Sequence, residues 1–160
     1  MRVSSAGDHG VSDIPMRLLM AAVIMSMSFP VFWGAYDSLS EKMTVSSVER
    51  ELGNLLEVVD DVMSGGEGST LDVSISLSSW GSSTLEYVRV GGPSDNNDSS
   101  TFKAEYSISG YGRSFLALDP PIRMRTPDGY DLELQEGDHD LKIVNTIVRG
   151  SPVAEISHLN

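Results

Sequence analysis

The sequence predicts an α+β fold: a long N-terminal helix, transmembrane and then amphipathic, followed by an all-β antiparallel sandwich. Three observations carry that expectation. Residues 18–35 contain no charged side chain, residues 45–62 place apolar side chains at alternating intervals of three and four, and beyond residue 70 the apolar period shortens to two. A chain of 160 residues, 40% apolar and 21% charged, has room for one modest body and an attachment to it. The expected division is a short leader over residues 1–13, a transmembrane helix over 14–36, its amphipathic continuation over 37–64 and an exported β-sandwich over 65–160.

The segment LLMAAVIMSMSFPVFWGA, Leu18 to Ala35, is about 27 Å of helix at 1.5 Å per residue, close to the thickness of a bilayer's hydrocarbon core. Only Ser26 and Ser28 interrupt it with polar groups, and a serine hydroxyl bonds back to a carbonyl one turn earlier. Pro30 removes one amide donor, a loss that transmembrane helices tolerate better than soluble ones. Phe29, Phe32, Trp33 and Tyr36 gather at the C-terminal end, where an aromatic belt meets the membrane surface. A cleaved secretory signal would be shorter and would end in small residues before a loop, so the expectation is an uncleaved single-pass anchor. Arg2 and Arg17 precede the segment while Asp37 and Glu41 follow it, which places the N-terminus in the cytoplasm and the body outside.

Next comes a stripe, Val45, Val48, Leu52, Leu55, Val59 and Val62, which forms one apolar helix face widened by Leu56, Val58 and Met63. The stripe packs either on its own domain or on neighbouring subunits, and the spacing alone does not choose between them. The run Ser64-Gly65-Gly66-Glu67-Gly68 ends the helix.

Strand periodicity then predicts segments at 71–77, 85–90, 102–109, 114–118, 122–125, 130–135, 141–148 and 153–157, with Gly, Pro, Asn and Asp between them. Turns are expected at Gly110-Tyr111-Gly112, Thr126-Pro127-Asp128-Gly129, Glu136-Gly137-Asp138 and Gly150-Ser151-Pro152. The polar run 94–100 reads as an exposed loop, and Asn97-Asp98-Ser99 within it is an acceptor sequence for N-glycosylation at Asn97.

Charge narrows the function classes. The 11 basic and 23 acidic residues give a net charge of -12, which argues against nucleic acid as a partner. Nine of the basic and 21 of the acidic residues lie beyond residue 36, on the exported side. With no cysteine there is no disulfide frame and no thiolate metal site. His9, His139 and His158 lack metal-ligand spacing, Asp138-His139-Asp140 reads as a solvated hairpin tip, and Asp95, Asn97 and Ser99 lack the glycine and distal glutamate of a calcium loop. No nucleophile elbow, phosphate-binding glycine loop or dinucleotide fingerprint is present, so neither catalytic activity nor a cofactor is expected.

Gly10-Val11-Ser12-Asp13, the apolar run, Glu51-Leu52-Gly53-Asn54-Leu55-Leu56, Ser64-Gly65-Gly66-Glu67-Gly68-Ser69 and the strands that follow together resemble the archaeal type IV pilin-like group. That group comprises pilins, archaellins and membrane-anchored stator-like components of the archaellum. The architectural resemblance covers almost the whole chain, and its motifs lie in the first 70 residues. It implies a class III signal peptide cut by a prepilin-type peptidase, with Gly10 before the cut and Val11 the new N-terminus. Where the family has a basic residue before that glycine, this chain has Asp8 and His9; where the family has a glutamate shortly after it, this chain offers Asp13 and Pro15. The function so implied is that of a structural subunit or accessory component of a surface filament, partnered by the membrane and by itself or other pilin-like subunits. The alternative is a membrane-anchored module that binds carbohydrate, peptide or an envelope component through loops near Trp80, Tyr111 and Tyr130.

Overall fold

The computed structural model describes residues 13–91 and 100–159. One helix, α1 (Asp13–Ser64), precedes nine strands: β1 (Thr70–Leu77), β2 (Leu85–Val90), β3 (Ser100–Thr101), β4 (Lys103–Ile108), β5 (Gly112–Ala117), β6 (Met124–Arg125), β7 (Leu132–Leu134), β8 (Gly137–Val148) and β9 (Ser151–His158). The chain divides into two compact units, Met1–Ser38 and Leu39–Asn160. The second unit, the body, therefore includes the amphipathic part of the helix.

Within the body the strands form two sheets, β1-β8-β9-β6-β3 and β5-β4-β2-β7. Every pairing is antiparallel except β6 with β9, which is parallel. A single core cluster joins the helix to both sheets: Val48, Leu52, Leu55, Leu56, Val59 and Val62 from α1, Ile75, Leu141, Ile143 and Ile156 among others from one sheet, and Val88, Val90, Tyr106 and Leu134 among others from the second. Period-two burial along β4 and β8 follows from alternation of side chains across a sheet. Leu85 and Val88 break that rule, since residues three apart point to opposite faces of a regular strand, yet both are buried. A register shift between Leu85 and Tyr87 in the β2–β4 ladder supplies the extra residue that turns both inward.

The end of α1 needs local support. Its last turn has no basic residue, and Asp60 and Asp61 sit near the negative end of the helix dipole. Gly66, at φ 88°, takes the left-handed conformation that closes the helix, and the Gly65 amide donates to the Asp61 carbonyl at 3.1 Å. Asn145 on β8 ties this end to the sheet: its side-chain amide donates to the Met63 carbonyl at 3.3 Å, its backbone amide donates to the Ser69 carbonyl, and its carbonyl accepts from the Gly68 amide. The sheets also approach each other closely at Gly91, just after β2. A Cβ there would lie 3.1 Å from the Arg125 carbonyl carbon, and φ is +72°, so only glycine fits without strain.

Several strand limits differ from expectation. Gly137–Asp140 was expected in a turn and a hairpin tip but forms the start of β8. Asp138 and Asp140 stand opposite Ser76 and Ser74 and accept their hydroxyls at 2.6 and 2.5 Å. Those cross-strand pairs extend the ladder into a stretch whose composition alone favours a turn. The β8–β9 hairpin turns at Arg149-Gly150, both with positive φ, so Ser151 and Pro152 belong to β9 rather than to the turn. Segment 122–125 yields only the two-residue β6, 130–135 only the three-residue β7, and β3 has no counterpart in the periodic pattern.

A polar contact also crosses from helix to sheet. The Tyr106 hydroxyl, on a fully buried residue of β4, donates to the Glu49 carboxylate at 2.7 Å. Burial, and then the neighbouring Glu49 carboxylate, push the phenol up to about 12, against a partial opposing contribution from a hydrogen bond with Ser114.

Two measurements check this core. Leu55→Ala is expected to lower the stability of the body by about 2–5 kcal/mol in denaturant titrations of the full chain in mild detergent, while Glu57→Ala, on the exposed side, changes it by less than about 0.5 kcal/mol. An unfolded tyrosine ionises near 10 and the folded Tyr106 holds its proton to about 12. The unfolded state thus loses the proton first, so stability is intact below pH 10 and falls as pH rises towards 12. Tyr106→Phe is expected to remove that alkaline loss, read as the dependence of the unfolding midpoint on pH.

Candidate functional site

Two regions carry chemistry that the core does not use. The first is the apolar part of α1 in the N-terminal unit. Between Met16 and Tyr36 the large apolar side chains stand exposed, with Phe32 at 73% and Met25 at 74%. The polar atoms of the segment are satisfied locally: the Ser26 hydroxyl donates to the Val23 carbonyl at 2.8 Å and the Ser28 hydroxyl to the Ile24 carbonyl at 2.9 Å. A surface of this kind is costly in water and suited to hydrocarbon. By length and composition α1 is able to cross a membrane once. Phe29 and Trp33 stack at 5.8 Å between ring centroids, and Trp33 lies 6.3 Å from Tyr36, so the aromatics run up one side of the helix at i, i+4 and i+7.

The stripe beyond that segment has a different fate. Val48, Leu52, Leu55, Val59 and Val62 are buried in the body's core, and Val45 is half-buried against it. Of the two packings the spacing allowed, the structure has the stripe on its own domain.

The second region is a loop and the cleft beside it, both in the body. Ser78 to Thr84 connects β1 to β2 and is held at several points. The Trp80 amide donates to the hydroxyl of buried Thr44 at 2.9 Å, and the Ser83 amide donates to the Trp80 carbonyl at 3.1 Å. The Ser79 hydroxyl donates to Glu136 at 2.8 Å and accepts the Leu85 amide at 2.9 Å, while the Ser79 amide donates to the same carboxylate at 3.1 Å. Hydrogen bonds from the Ser79 hydroxyl, then its amide, hold the Glu136 carboxyl below the usual carboxylate range. Trp80 is thus presented by a pinned turn with half its surface open. It borders a cleft of about 370 Å³ lined by Lys42, Met43, Ser46, Ser47 and Arg50 of α1 and by Ser78 and Trp80 of the loop.

The other aromatics singled out from sequence, Tyr111 in the β4–β5 turn and Tyr130 in the β6–β7 connection, are exposed, and neither lines this cleft. Phe102 and Phe115 are exposed too, each beneath a cation, Arg123 and Lys103 respectively. Exposed strand aromatics look like core residues in a sequence, so no local signal separated them. Nor did a signal mark the cleft, whose helix wall and loop wall lie roughly 30 residues apart along the chain.

His139 and His158 come together across the β8–β9 pair, with ring centroids 5.9 Å apart, and the His139 ring lies 2.8 Å from the Gln135 carbonyl. Among the described residues no group of three or more histidines and carboxylates is arranged to hold a metal ion. Gly10 and Val11, the expected processing positions, and Asn97, the expected glycosylation site, lie outside the described residues. Comparison with known protein families, curated proteins and solved structures returned no match.

Proposed function

We propose that this chain is a membrane-anchored, pilin-like surface protein, held in the bilayer by residues 14–36 with the N-terminus cytoplasmic and the β-rich body displayed outside. Its role is that of a structural subunit or accessory component of a surface appendage. The observation that carries the reading is the contrast along α1: apolar side chains stand exposed from Met16 to Tyr36, while those from Val48 to Val62 are consumed by the body. From Val48 to Val62 the stripe has no free surface for a neighbour. Self-association therefore uses the apolar segment itself, where a bundle of like helices or lipid tails offers the same environment. The acidity of the body suits an exposed, hydrated location, and the basic residues that precede the anchor favour an inside N-terminus. The pinned Trp80 loop favours a second reading, in which the body also recognises a ligand.

Fractionation of cells expressing the full chain tests the anchor. The protein is expected in membranes, resistant to alkaline carbonate, with its body open to protease added from outside. Ile24→Asp places a carboxylate mid-segment at a cost of about 2.5–3.5 kcal/mol and is expected to shift a large part of the chain to the soluble fraction. Recovery of the unaltered chain as a soluble protein would refute the anchor, and a mature N-terminus other than Val11 would refute prepilin-type processing.

A further inference from the structure

We propose that the cleft between α1 and the Trp80 loop binds a phosphate ester that carries an apolar portion. The proposal goes beyond the anchoring role and needs neither filament nor processing, because every residue it uses belongs to the body.

The donor set comes first. Lys42 and Arg50 lie eight residues apart, about 12 Å along a helix, and bracket the hydroxyls of Ser46 and Ser47. Ser78 adds a third hydroxyl from the opposite wall, with its oxygen 3.5 Å from that of Ser47. Among the described residues no acidic side chain lines the cleft, although the chain as a whole carries -12. Lys42 forms no ion pair among the described residues, and the Arg50 guanidinium, 70% exposed, meets only its chain neighbour Glu51, at 3.4 Å. Arg89, Lys103 and Arg125 form ion pairs elsewhere on the body. Two cations and three hydroxyls offer more donors than a carboxylate's two oxygens take up, and they suit the charge and the several oxygens of a phosphate ester.

The walls supply the second half of the argument. Met43 and Trp80 line the same cleft and are both exposed. The indole N–H makes no hydrogen bond within the described residues and so remains a further donor beside an apolar face. The backbone that presents this half-exposed tryptophan is fixed by its own bond to buried Thr44 and by the Ser79–Glu136 pair, so the loop need not be ordered on binding. A volume of about 370 Å³ is that of a small-molecule site and accommodates a headgroup-sized ester. The phosphate ester has two sources, a membrane lipid headgroup or a soluble metabolite; Lys42 follows Tyr36, the last aromatic of the apolar segment, by six residues.

The chain has two tryptophans, so a Trp33→Phe background leaves Trp80 as the single reporter. The full chain in maltoside micelles is titrated with glycerol 1-phosphate, with phosphatidylglycerol doped into the micelles, and with acetate, and the Trp80 emission is followed. A saturable shift with glycerol 1-phosphate supports a soluble ester, and a shift with phosphatidylglycerol alone supports a lipid headgroup. Either way Lys42→Gln with Arg50→Gln is expected to weaken binding about tenfold or more. Ser46→Leu, which fills the cleft and keeps both charges, is expected to weaken it similarly, with the unfolding midpoint of each variant unchanged within error as evidence of an intact body. The absence of a saturable shift with either phosphate probe, an equal shift with acetate, or a shift that survives in both variants would overturn the proposal.

Discussion

The body depends on one act of burial: the apolar stripe of α1 from Val48 to Val62 goes into the same core as the inner faces of two sheets. Both sheets send their buried side chains into that same cluster. Strands as short as β6 and β7 contribute few ladder bonds, and each is held by a core residue, Met124 and Leu134 respectively. Six helix side chains at 3% exposure or less supply that cover. Burying a leucine or valine contributes about 1.5–3 kcal/mol each, so the stripe outweighs any surface ion pair in the molecule. The polar contacts across the same boundary, Tyr106 with Glu49 and Asn145 with Met63, then fix the helix in one register against the sheets.

That burial divides α1 by chemistry. One apolar stretch is satisfied inside the protein and another is not, and an unsatisfied apolar stretch of membrane-spanning length calls for lipid or like helices. Outward surfaces of the body obey the opposite rule. The exposed face of the β5-β4-β2-β7 sheet carries Arg89 with Glu133, Lys103 with Glu105, and Tyr87 donating to Glu105, pairs of little energetic weight that keep the face hydrated. Against that acidic background, a cleft lined by two cations and, among the described residues, by no carboxylate is the exception.

Much of the architecture was legible because periodicity reports burial directly. The three-and-four spacing from Val45 to Val62 marked the helix stripe, and the alternation of Leu71, Val73, Ile75 and Leu77 marked β1. Legibility failed where long-range contacts outweighed local preference. Gly137–Asp140 reads as a turn because glycine and aspartate favour turns, yet pairing with Ser74 and Ser76 makes it strand. Leu85 and Val88 share a face only through a bulge. The cleft was invisible for a related reason: Lys42, Ser46 and Arg50 look like an ordinary solvated helix face until the Trp80 loop is brought opposite them, and that depends on a hydrogen bond to Thr44, a residue with no distinctive sequence signal.

The stripe from Val48 to Val62 is buried in the chain's own body, which leaves that face closed to a neighbour. Because the protein has no cysteine, single cysteines report accessibility without background. The decisive measurement is the rate at which a water-soluble maleimide labels Val59→Cys in the native protein, compared with Asp60→Cys one residue away. The expected result is that the cysteine at 60 reacts rapidly while the one at 59 stays protected until the body is unfolded with denaturant, whatever the concentration of the protein. Equal labelling at the two positions, or protection at 59 that disappears on dilution to separated monomers, would mean that the stripe packs on other subunits and would contradict the account.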